Sequence, residues 1–65
     1  MATDYYKELR RLLMQADCEF RRQGRGDHEI WFSPLTNRPF TVDRKGKRRR
    51  TANATLKAAG LPKAF

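Results

Sequence analysis

The chain is poor in the residues that staple, metallate or embed a small protein. Its single cysteine, Cys18, has no second thiol with which to close an intramolecular disulfide, and one cysteine with one histidine falls short of the four ligands of a structural zinc site. Cys18 therefore reads as a small core residue. No stretch approaches the roughly 18 apolar residues of a membrane span, and the start, Met1-Ala2-Thr3-Asp4-Tyr5-Tyr6, lacks the basic and apolar regions of a secretory signal. A soluble cytoplasmic protein is expected. Acidic residues are scarce as well: seven Asp and Glu stand against fifteen Lys and Arg, a formal net charge of +8. That balance suits a nucleic acid, an acidic protein or an anionic membrane as partner. The membrane is the weakest of the three, because no long amphipathic helix lines its basic residues along one face with an aliphatic face left to insert.

What is present fits one domain, residues 1–65, with a small core, since a chain this short buries only about 60% of its unfolded surface. From Thr3 to Ala16 the apolar positions Tyr5, Tyr6, Leu9, Leu12, Leu13 and Ala16 recur at three- and four-residue steps and predict a helix. Thr3 caps it, Asp4 suits its N-terminal dipole, and Lys7, Arg10 and Arg11 fall largely off the apolar stripe. Residues 18–23 alternate as a strand, with Cys18, Phe20 and Arg22 on one side and Glu19, Arg21 and Gln23 on the other. A second strand runs from His28 to Ser33 after a turn at Gly24 and Gly26, and a third from Arg38 to Asp43 after the turn 33–37. The run Arg44 to Arg50, six basic residues in seven, repels itself and reads as a loop. A second helix starts at Thr51 or Asn53, turns Leu56 and Ala59 inward, and closes with Gly60 at the left-handed position, Leu61 against Leu56, and Pro62 beyond.

The expected fold is therefore α+β, in the order α-β-β-β-α: a three-stranded antiparallel meander with both helices on one face and the other face open. Strand parity sends Phe20, Ile30, Phe32, Phe40 and Val42 toward the helices and Trp31, Arg21 and Thr41 to the open surface. There, Trp31 beside Arg21 suits a stacked nucleobase or, better, a protein interface. The same parity turns His28 inward with Ile30, whereas a bulge after the glycine turn releases it; the pattern leaves both open.

His28 is the one side chain whose class, with an unperturbed pKa of about 6.5, both takes and gives a proton near neutrality. In so basic a chain the obvious target of a lone base is a polyanion, and RNA cleavage is the first reading of His28. A solvated or hydrogen-bonded structural histidine is the plain alternative.

Several segments together resemble the HicA family over nearly the whole chain. They are Phe20-Arg21-Arg22-Gln23-Gly24, Gly26-Asp27-His28 followed by Glu29-Ile30-Trp31, Phe40-Thr41-Val42, and Thr55-Leu56-Lys57-Ala58-Ala59-Gly60-Leu61. The resemblance implies a small toxin of a HicA and HicB toxin–antitoxin system, with a fold like a double-stranded-RNA-binding domain, that cleaves mRNA through the histidine at position 28. It also implies an acidic HicB-type antitoxin and a toxin–antitoxin hetero-oligomer. Many relatives have glycine at the place of Asp17 and serine at that of Asp27. After the third strand they often carry a proline, a basic residue and a second histidine, where this chain reads Asp43-Arg44-Lys45. No second imidazole is available, and Asp27 would help orient His28 yet repel a phosphate.

In such a reaction RNA supplies its own nucleophile, the 2′-hydroxyl, and His28 performs one of the two proton transfers. Arg25 and Lys45, with the backbone amides of 24–26, are candidates to stabilise the negative phosphorane. Lys47, Arg48, Arg49 and Arg50 are expected to track RNA phosphates, and Arg21 and Trp31 to contact the antitoxin. No cofactor and no metal is called for; a metal-dependent alternative would draw on Asp27, Glu29 and Asp43. The alternative from another class is a non-catalytic RNA-binding module of the same fold.

Overall fold

The computed structural model describes residues 5–65, so the expected cap at Thr3 and the dipole contact of Asp4 lie outside the described residues. The elements follow in the order α1 (Tyr5–Gln15), β1 (Glu19–Gln23), β2 (His28–Ser33), β3 (Arg38–Asp43) and α2 (Arg49–Ala58). The strands form one antiparallel sheet, β1-β2-β3, with β2 in the middle. One core joins Leu9 and Leu13 of α1, Trp31, Phe40 and Val42 of the sheet, Leu56 of α2, and Cys18 and Ala59. Both helices thus cover the same face, as expected.

Both helices end by one device. In α1, Asp17 takes a left-handed φ of 64°, the Cys18 N–H donates to the Leu13 carbonyl at 2.9 Å, and the Asp17 N–H to Met14 at 3.1 Å. In α2, Gly60 has φ 86°, with Leu61 N–H to Leu56 at 2.8 Å and Gly60 N–H to Lys57 at 3.0 Å. These are Schellman closures, in which a residue at positive φ lets two orphan carbonyls find donors. Aspartate tolerates the first. The second needs glycine on two counts, because a Cβ there would also meet Leu35 Cβ at 3.1 Å.

The start of α2 departs from expectation. The helix begins at Arg49 rather than at Thr51 or Asn53, with Arg48 extended at the N-cap and no side chain capping it. Arg49 and Arg50 are therefore helical, not part of the loop. Burial of Ala52 one turn ahead of Leu56 draws the helix back, and arginine is a good helix former even where its charge opposes the dipole.

The larger correction concerns β2. Trp31 is only 2% exposed and lies opposite Phe40, while Glu29 lies opposite Val42; these residues face the helices. Ile30 and Phe32 turn to the open face and are half-buried there. The expected parity was thus inverted on this strand. Three consecutive apolar residues, Ile30-Trp31-Phe32, satisfy either alternation, and the core takes the largest of them. Glu29 and Ser33 follow Trp31 inward because the side-chain period is two. Ser33 meets the cost by donating to the Ala59 carbonyl at 2.6 Å.

β1 holds a second irregularity. Phe20 pairs with Trp31 and Arg22 with Ile30, leaving Arg21 as an extra residue in a bulge. Phe20 stays on the helix side as expected, edge-on to Trp31 at 6.1 Å, but sits at the rim and is 51% exposed. Arg22 shares the face of Ile30, not that of Phe20. Phe40 and Val42 are buried and Thr41 is exposed, as parity required on β3.

Candidate functional site

The segment 24–27 fixes where β2 begins. The His28 N–H donates to the Arg25 carbonyl at 3.1 Å, and the His28 carbonyl accepts from the Gly24 N–H at 2.8 Å and from Gln23 Nε2 at 3.2 Å. Gln23 Nε2 also reaches the Gly26 carbonyl at 3.0 Å. Gly26 supplies a φ of 61°, and Gly24 allows a close approach, since a Cβ there would lie 3.1 Å from the His28 carbonyl oxygen. The backbone of His28 is therefore held from three sides. Its imidazole is exposed, on the face away from the helices, with no hydrogen-bond partner among the described residues.

Four further charged groups gather at this end of the sheet. Asp43 is the cross-strand partner of His28, and its Oδ1 accepts the Lys45 N–H at 2.9 Å. That bond is an Asx turn, which aims the chain of Arg44 and Lys45 back across the loop. The Arg44 N–H donates to the Asp27 carbonyl at 2.9 Å. The Asp27 carboxylate in turn lies 3.5 Å from the Arg44 guanidinium and 3.6 Å from Lys45 Nζ. Two cations therefore offset the carboxylate beside His28. Both pairs are exposed and long, so each contributes well under about 1 kcal/mol and is readily exchanged for another anion.

Glu29 is placed otherwise. It is 7% exposed on the helix side, where both carboxylate oxygens accept the Tyr6 hydroxyl at 3.0 Å and one accepts Trp31 Nε1 at 2.9 Å. Burial, then the hydrogen bond and charge of Glu29, raise the Tyr6 hydroxyl above its ordinary pKa of 10.0, against the lowering pull of Arg10 and Arg44. Asp27, Glu29 and Asp43 do not converge. Among the described residues no group of three or more His, Cys, Asp or Glu is placed to hold a metal ion.

Of the other expected site residues, Arg25 is exposed in the loop before His28 and Lys45 stands beside Asp27. Lys47 and Arg48 lead into α2, and Arg49 and Arg50 form its first turn, lining a shallow cleft with Asn53 and Lys63. Lys63 joins them because Asn53 holds the last residues: its Oδ1 accepts the N–H groups of Ala64 at 3.2 Å and Phe65 at 3.0 Å, and its Nδ2 donates to the Phe65 carbonyl at 3.1 Å. Nothing in the spacing of the sequence pairs those positions. Arg21 is exposed as expected, but Trp31 is not a surface residue and offers a partner no anchor. The aromatic side chain beside Arg21 is Phe32, with the guanidinium 4.6 Å above its ring.

Among the described residues no helix is long and apolar enough to cross a membrane. Comparison with protein-family models, characterised proteins and solved structures finds no match for this chain.

Proposed function

We propose that the chain is a metal-independent endoribonuclease of the HicA toxin type, which cleaves mRNA and is silenced by an acidic HicB-type antitoxin. The observation that carries the reading is the exposed imidazole of His28, fixed at its backbone on a chain of net charge +8, with Arg44 and Lys45 paired to the neighbouring Asp27. In this mechanism the 2′-oxygen of RNA attacks the adjacent phosphorus, the bond to the 5′-oxygen breaks, and the fragments end in a 2′,3′-cyclic phosphate and a 5′-hydroxyl. One proton leaves the 2′-hydroxyl and one arrives at the departing oxygen. His28 performs one of these transfers, a task worth about 100- to 10,000-fold in rate. Lys45 and Arg44 exchange Asp27 for the phosphate, and Arg25 adds charge from the loop. Lys47, Arg48, Arg49 and Arg50 follow the RNA backbone away from the site.

The antitoxin reading rests on charge, because with Trp31 in the core the aromatic anchor expected for it is lost. An acidic partner is steered by the field of the whole chain and contacts Arg21 and the basic run. Raised salt should slow its association more than it speeds its dissociation.

The deciding experiment is cleavage of a defined RNA in EDTA by the parent and by His28→Ala, with circular dichroism and gel shifts on both. The expected result is cutting by the parent and at least a 100-fold loss in the variant, with fold and binding retained. A variant cutting at more than about a tenth of the parent rate overturns His28 as the catalyst. Bound but uncut RNA in both leaves a non-catalytic RNA-binding module.

A further inference from the structure

The open face of the sheet carries an arrangement that the chemistry at His28 does not use. Residues 28, 30 and 32 alternate onto this face along β2, opposite positions 43, 41 and 39 of β3, and no described element covers them. Beside them on β1 lie Arg22, opposite Ile30, and Arg21, whose guanidinium stands 4.6 Å from the centre of the Phe32 ring. The bulge makes this possible. Under plain alternation Arg21 and Arg22 would point to opposite sides; with one extra residue in the strand, both serve the same face. Among the described residues the only ion pair of Arg21 is a long one, 3.9 Å to Glu19, and more than half of its side chain remains exposed.

We propose that Phe32 and Arg21 form a stacking subsite for one unpaired nucleobase of a single-stranded RNA lying along the open face. The proposal rests on the ribonuclease reading for its direction: the strand that carries the imidazole also carries the ring, four residues and about 13 Å away. That distance places the stacked base beyond the nucleotide being cut, where it positions the strand without taking part in bond breaking. A planar guanidinium over an aromatic ring is a platform of the kind on which unpaired bases stack, and stacking tolerates any base because each has a π-face. Arg21 and Arg22 add positive charge along the same path, which favours a polyanion. An RNA duplex does not fit this surface, since its bases are already stacked. Phe32 and Arg21 are positioning residues in this scheme.

The test uses an RNA oligonucleotide methylated at every 2′-oxygen, which cannot be cut, and measures binding by fluorescence anisotropy. A series with a single abasic site moved along the oligonucleotide is compared with the intact strand. For the parent, one abasic position should weaken binding about tenfold. Arg21→Gln and Phe32→Leu should each weaken binding of the intact strand about tenfold and no longer distinguish it from that abasic strand, whereas Phe32→Tyr should behave as the parent. Circular dichroism identifies any variant that fails to fold, and Arg21→Gln, a substitution at an exposed bulge, keeps the test open if Phe32→Leu does not fold. Equal binding of every abasic strand by the parent, or unaltered discrimination by folded variants, overturns the subsite. A loss confined to binding of poly-glutamate would assign the face to an acidic protein and overturn it too. Binding of the methylated strand does not depend on cutting, and cleavage of an unmethylated strand is assayed apart, so failure of the cleavage reading and failure of the subsite are read separately.

Discussion

His28 and Asp43 stand directly opposite one another across the β2–β3 pair, at the end of the sheet where both strands run into their loops. Asp43 also closes the turn that presents Arg44 and Lys45, through its bond to the Lys45 N–H. Asp43→Ala should therefore loosen the cations and also remove the cross-strand neighbour of the imidazole. The expected outcome is a stability loss of about 1 kcal/mol, as for other lost side-chain caps, with a larger effect on kcat/KM for a minimal RNA than on binding of a long one. Thermal melts and single-turnover cleavage check the pair; an unchanged kcat/KM would dissociate the turn from catalysis.

Glu29 is the most exacting residue of the core. Removing it as Glu29→Ala leaves the buried Trp31 N–H without its acceptor, at about 1–3 kcal/mol, and takes an acceptor from the half-buried Tyr6 hydroxyl. For a chain of 65 residues that is a large share of the total. Urea unfolding followed by Trp31 fluorescence should show a midpoint well below that of the parent, and Glu29→Gln, which keeps an acceptor, should fall between the two.

Alkaline pH tests the same region. Burial raises the Cys18 thiol above its ordinary 9.0, as does the charge of Asp17, against a lowering hydrogen bond from Ser33; Tyr6 is raised above 10.0. Both groups lose a proton more easily in the unfolded chain. Their stabilisation is complete below the unfolded values and is lost as pH rises through them to the higher folded values. Stability should hold up to about pH 9 and decline above it, and the decline should be shallower in Cys18→Ala and in Tyr6→Phe. A stability curve that rises beyond pH 9 would contradict the assignment.

The basic run gives opposite signs in two assays. Replacing Lys47, Arg48, Arg49 and Arg50 by glutamine should flatten the log–log salt dependence of single-stranded RNA binding by up to about 2.8, or 0.7 for each of four phosphate contacts. The same change removes like charge from the first turn of α2 and should leave the melting temperature unchanged or slightly raised. An unchanged salt slope would mark these residues as solvated bystanders.

The elements whose signals are local were legible in the sequence. The stripe Tyr6, Leu9, Leu13 fixes α1, Gly60 with Leu61 fixes the end of α2, and the flanking turns delimit each strand. Facing was legible on β3, where Phe40 and Val42 alternate with polar neighbours, and not on β2, where Ile30-Trp31-Phe32 admits two phases and only the volume of the core chooses between them. The orientation of His28 was undecided because a bulge after the glycine turn could release it; it needs none, and turns out together with Ile30 because the phase of β2 is the reverse of the expected one. The bulge at Arg21 has no signature in its own residues. It becomes visible only when β1 is laid against β2, and Phe32 as the partner of Arg21 could not have been found before that.

The bulge in β1 has a further effect, on the company the protein keeps. A three-stranded sheet has two outer strands whose free backbone groups invite another chain to pair, and a flat outer strand seeds polymers. Here the bulge and two adjacent arginines roughen β1, and Pro39 withholds a backbone donor from β3. The sheet is thereby guarded on both flanks against growth by addition of its own copies, so the irregularity that aims Arg21 at Phe32 also helps keep the molecule from aggregating.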